Sequence, residues 1–141
     1  MLIAWAVSCD SYELRDDGTA NIFGAGFDTF FVPSIPVELD FTILVRLLLM
    51  EGDKDEIGMQ ILGSETQLLG DLSIEIEADP GPHHRAGYVV SQIEVLEVPS
   101  ITAEAEGVYS VEIYLGSHRP GPSEDRRRSI FFNVLEGEPN L

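Results

Sequence analysis

Glu106-Gly107-Val108-Tyr109-Ser110-Val111-Glu112-Ile113-Tyr114-Leu115 is the stretch that decides the fold. From Tyr109 onward its residues alternate apolar and polar, the period-two pattern of a strand with one dry face. A glycine turn stands just ahead of the tyrosine. In many β-sandwiches a tyrosine so placed is a corner residue, its hydroxyl bonding back to the backbone a few residues upstream. The stretch therefore predicts a strand entering a sandwich core, with Tyr109 as its clamp.

The same periodicity recurs outward from this segment. The longest run places Val37, Leu39, Phe41, Ile43, Val45, Leu47 and Leu49 on one face, with Glu38, Asp40, Thr42 and Arg46 on the other. Leu44, Leu48 and Met50 interrupt that second face, which predicts cover over the strand's far end. Leu2 to Ser8 reads as a first strand. Asp16-Asp17-Gly18 is a tight reversal leading into Thr19 to Gly24, because Asp-Gly supplies the positive backbone angle such a turn needs. Phe27 to Val32 follows and stops at Pro33-Ser34-Ile35-Pro36, since proline lacks a ladder donor. Asp55 to Gly63, Leu72 to Glu77, Tyr88 to Val98, Gly107 to Leu115 and Ser129 to Leu135 complete the set. The Tyr88 segment also fits helical spacing, but its β-branched content and flanking Gly87 and Pro99 favour a strand.

About eight or nine short strands with regular turn signals and no helical window predict an all-β fold: an antiparallel two-sheet sandwich of immunoglobulin-like or related topology, with a barrel as the alternative. One domain over residues 1–135 and a frayed tail over 136–141 account for the length, since 141 residues bury a core without staples. Cys9 is the only cysteine, so no disulfide forms within the chain, and a reducing, cytoplasmic setting is expected. Met1 to Val7 lacks the cationic start and length of a signal peptide. Phe41 to Met50 contains Arg46 and is too short to cross a bilayer.

The formal charge is −17, from 25 Asp and Glu against 8 Lys and Arg. Such a surface repels nucleic-acid phosphates rather than collecting them, so nucleic acid is not expected as a ligand, and no membrane partner is expected either. Against that background Arg119, Arg126, Arg127 and Arg128 gather half of the chain's cations in one Gly/Pro-rich loop. Their bland role is pairing with neighbouring carboxylates; their sharper role is a docking patch for an acidic face of a partner or of another copy.

Other chemistry is thin. His83-His84 and His118 sit in loops without the paired spacing of a zinc site. Asp53, Asp55 and Gly58 imitate the start of a calcium loop, but Ser64 stands where a bidentate glutamate is required. A looser calcium site remains open, pooled from Asp16, Asp17, Asp53 and Asp55 with Asp10 and Glu13 as further contributors. Ser8, Ser91 and Ser129 lack a nucleophile-elbow context, and no phosphate-cradling glycine loop precedes a helix. An enzyme is not expected, nor is a cofactor.

Cys9-Asp10-Ser11-Tyr12, then Asp17-Gly18-Thr19-Ala20-Asn21-Ile22-Phe23-Gly24-Ala25-Gly26-Phe27-Asp28-Thr29-Phe30, then Pro33-Ser34-Ile35-Pro36, resemble a family of small uncharacterised bacterial proteins known only as a domain of unknown function. Ser91-Gln92-Ile93-Glu94 and Gly107-Val108-Tyr109 extend the likeness over most of the chain. That resemblance implies no activity, cofactor or catalytic residue. The expectation is a non-catalytic binding or assembly module for a protein partner or for itself. A calcium-dependent binding domain and an acidic decoy that imitates DNA are the alternatives.

Overall fold

The computed structural model describes residues 1–98, 100–116 and 126–137. Over them run β1 (Leu2–Cys9), β2 (Ser11–Leu14), β3 (Ala20–Phe23), β4 (Thr29–Val32), β5 (Val37–Leu39), β6 (Thr42–Leu49), β7 (Lys54–Leu62), β8 (Leu68–Glu77), β9 (Val90–Glu97), β10 (Ile101–Ala103), β11 (Gly107–Leu115) and β12 (Arg127–Glu136). No α-helix occurs among the described residues. The layout is sandwich-like and no sheet closes into a barrel. One layer is the sheet β1-β6-β9, continued by the β10-β5 pair; the other is β4-β12-β11-β7-β8; β2 and β3 form a separate hairpin.

Among the described residues twelve strands replace the expected eight or nine. The expected strand from Val37 to Met50 breaks at Asp40-Phe41, yet its partner follows the kink: Thr42 faces Glu97, Val98 N–H donates to the Phe41 carbonyl at 3.0 Å, and Leu39 faces Ile101. One bent ribbon thus counts as β5, β6, β9 and β10. The third addition is β2. The first strand does not reverse at Asp16-Asp17-Gly18 to pair with the next; β2 turns there and pairs with β3 instead. Arg15 N–H closes that turn on the Thr19 carbonyl at 2.8 Å, and Gly18 adopts a φ of 83°.

This hairpin is an excursion between the two layers. Asp10 N–H donates to Phe23 O at 3.0 Å and Gly26 N–H to Ser8 O at 2.8 Å, tying both ends of the loop to the end of β1. The chain then crosses over, and β4 pairs with β12 in the one parallel ladder among the described residues. Leu44 and Cys9 point away from the main core by alternation, and both are fully buried; Met50 at the other end is 44% exposed. Burial of that outer face is thus greatest beside the end of β1; at the far end Leu48 is half-buried and Met50 exposed, so the expected cover there is partial.

Between the layers, Ile3, Ile43, Val45, Leu47 and Leu96 meet Ile57, Met59, Ile61, Val111 and Ile113 in one buried cluster. Each such side chain contributes about 1.5–3 kcal/mol by leaving water. At one end the core is aromatic. Phe41 contacts Phe30 and Phe132 with ring centroids 5.7 and 5.3 Å apart, and Phe132 stacks on Tyr109 at 5.5 Å, so β4, β11, β12 and the β5–β6 kink share one aromatic joint.

Candidate functional site

The arginine run lies where the last strand begins, and its three described members point three ways. Arg126 reaches Asp55 on β7, with Nη2 at 2.8 Å from Oδ2. Arg127 projects from the outer face of the five-stranded sheet and meets Glu112 of β11 at 3.2 Å. Arg128 turns inward. Its Nη2 donates to the Ile3 carbonyl at 2.8 Å, next to the bulge between Ile3 and Trp5 where β1 slips register against β6. A bulge leaves a backbone group without its ladder partner, and this guanidinium supplies one from the opposite layer. Arg126 and Arg128 therefore join strands, while Arg127 alone of the three stands on a broad face. Arg119 and His118 lie outside the described residues.

The outer face around Arg127 is built by register. Phe131 of β12 stands opposite Ser110, which stands opposite Leu62, which stands opposite Leu68. One step along, Val108 faces Asn133; two steps along, Leu135 lies beside Phe31 of β4. Opposed residues share a face, so these side chains form one diagonal band. Phe131 is 61% exposed, Val108 58%, Leu68 56%, Phe31 46% and Leu135 41%. Single exposed apolar residues are ordinary on soluble proteins; here five fall on one outer face of a five-stranded sheet, with Ser110 and Asn133 set among them. Its rim is acidic: Glu106, whose carboxylate accepts the Glu136 N–H at 2.7 Å, and Asp71 on β8. On the Arg127 side, Ser129 donates its hydroxyl to Glu112.

The four aspartates considered for calcium divide into two turns. Asp16 and Asp17 sit at the β2–β3 reversal. The Thr19 hydroxyl, with help from the Thr19 N–H, holds the Asp17 carboxyl below its ordinary range. That contribution to the turn is present above the unfolded aspartate value and fades as pH falls through the lowered one. Asp53 and Asp55 begin β7: Asp53 accepts the Met50 N–H at 2.8 Å, and Asp55 accepts the Glu56 N–H as well as Arg126. Among the described residues no three His, Cys, Asp or Glu side chains gather where an ion could be held.

The reactive candidates are spoken for as well. Burial, and then the neighbouring Asp10 charge, push the Cys9 thiol up, which keeps it protonated and weakly nucleophilic. Ser91 Oγ accepts from Arg46 Nε at 2.7 Å, and Ser8 is buried. His84 is mostly buried, its Nε2 3.8 Å from a Glu51 carboxylate oxygen; His83 is exposed. No helix among the described residues is long and apolar enough to cross a membrane.

An all-β, sandwich-like domain with an apolar band on one outer face is the class that these features define. The chain belongs to a family of unknown function, DUF6941, whose model matches residues 4–121. The match takes in both layers up to β11 and the β2–β3 hairpin, while β12, with Arg126, Arg127 and Phe131, follows it. No curated protein matches the chain.

Proposed function

We propose that the protein is a non-catalytic binding module of immunoglobulin-like topology, which docks another protein on the outer face of the β4-β12-β11-β7-β8 sheet. The topology reading is supported by the crossing of the N-terminal segment from one layer to the other, where β4 runs parallel to the last strand, and by the tyrosine corner on β11. The carrying observation for docking is the exposed band of Phe31, Leu68, Val108, Phe131 and Leu135. Its partner presents an apolar surface rimmed by lysine and arginine. A second copy is disfavoured, because two chains of charge −17 would bring acidic rims together. Arg127 sits at one end of the band, held by Glu112, and orients rather than anchors. A reducing compartment, the cytoplasm, suits the buried thiol of Cys9.

The test is capture of a partner from the native cell, followed by titration of that partner against the wild type and against the paired variant Phe131→Ser/Val108→Ser. Both side chains are exposed, so the variant melts with the wild type. Affinity should fall by at least about tenfold, since buried aromatic anchors dominate interface energies. Undiminished affinity would remove this face from consideration.

A further inference from the structure

The second layer has its own unfinished feature, on the far side of the molecule from the apolar band. β9 pairs with β6 over eight residues without a register shift, and among the described residues nothing pairs with its other edge. Along that edge lies a groove of about 1030 Å³. One wall is the β2–β3 turn from Leu14 to Thr19; the other is the segment that leaves β8, from Glu77 to His84. The groove carries the carboxylates of Asp16, Asp17, Glu77, Asp79 and Glu94 against the single guanidinium of Arg15. His84 Nε2, buried and without a hydrogen-bond partner, lines it too.

We propose that this groove receives an extended segment of a partner protein bearing alternate lysine or arginine residues, which adds to the β1-β6-β9 sheet as a fourth strand. An unpaired strand edge offers a row of backbone donors and acceptors, and a peptide that pairs with it gains affinity from the main chain and specificity from alternate side chains. Here both sets of alternate side chains meet carboxylates. Those on the outer side face Asp16 and Asp17 on the hairpin turn. Those on the inner side face Glu77, Asp79 and Glu94. Glu94 itself points inward by register, opposite Val45 of the core.

The other edges are less suited. The β1 edge is interrupted by its bulge, where Arg128 already takes the Ile3 carbonyl. β4 has four residues, against eight in β9. Charge also selects the occupant: two copies meeting edge to edge would oppose the same carboxylates, so the groove rejects its own kind and admits a basic strand.

The probe is a fluorescent peptide of the length of β9 that alternates lysine with valine, titrated at low salt into the full chain. Two controls accompany it, one with central residues replaced by proline and one with glutamate for lysine. The expected result is binding of the first peptide alone, with slowed hydrogen exchange at amides of Val90–Glu97. Asp16→Asn/Asp79→Asn should weaken it at least about fivefold without lowering the melting temperature, since both residues are exposed and supply attraction rather than packing. Phe131→Ser/Val108→Ser, which tests the other face, should leave peptide binding unchanged. Equal binding of the proline-bearing peptide, protection at β8 in place of β9, or no binding of the lysine peptide would each overturn the proposal.

Discussion

Tyr109 is where a single residue does most to hold the two layers in one geometry. Its ring is 1% exposed and stacked on Phe132, and its hydroxyl donates to the Ala105 carbonyl at 2.6 Å. The glycine ahead of it is equally constrained. Gly107 has a φ of 147°, and a Cβ there would stand 2.6 Å from the Cβ of Ser64 in the β7–β8 turn. Replacing the tyrosine by phenylalanine keeps the stacked ring and removes only the bond that closes the corner. Tyr109→Phe should lower unfolding free energy by about 1 kcal/mol, the net worth of one such hydrogen bond. In urea the midpoint should fall while the slope stays that of the wild type. A midpoint that does not move would show that the ring, and not the hydroxyl, sets the corner.

At the scale of strands, one contact that bridges the layers is the arginine at the bulge of β1. Arg128→Met retains an apolar stem beside the sheet and deletes the guanidinium, leaving the Ile3 carbonyl without that donor. The loss should be about 1.5 kcal/mol, at the low end for a hydrogen bond from a charged group. It should also be local: amides of β1 should exchange faster while those of β7 and β8 keep their rates. Uniform loosening across both layers would contradict a clip between β1 and β12.

Long alternating runs such as Thr42–Leu49 and Gly107–Leu115 were legible from sequence because each buries one face, and the period follows directly. Four-residue β2 and three-residue β10 were not, since so few residues carry no period. The parallel pairing of β4 with β12 joins segments far apart in the chain, which no local pattern encodes. The apolar band was hidden for a related reason. Ile130-Phe131-Phe132 is continuously apolar, so alternation cannot say which ring faces out until the register against β11 is known. Likewise the arginine run stood out by composition, but its partners Asp55, Glu112 and Ile3 come from three distant strands.

For the whole molecule, charge is the property that touches both stability and binding, with opposite signs. Twenty-five carboxylates share the chain with 8 Lys and Arg. Of those cations Lys54, Arg126 and Arg127 already face Glu77, Asp55 and Glu112. Exposed pairs of this kind contribute about 0–1 kcal/mol each, whereas the uncompensated remainder repels itself throughout the fold. Raising sodium chloride from about 0.01 to 1 M shortens the screening length from about 30 to 3 Å. Repulsion between distant carboxylates should then vanish, while contacts such as Arg126–Asp55 at 2.8 Å are screened less. The melting temperature should therefore rise by several degrees across that range, where about 1 kcal/mol corresponds to roughly 2–8 °C. A fall with salt would mean that the few ion pairs outweigh the net repulsion. Binding of a basic partner should run the other way and weaken over the same titration, since the carboxylates that strain the fold are those that attract it.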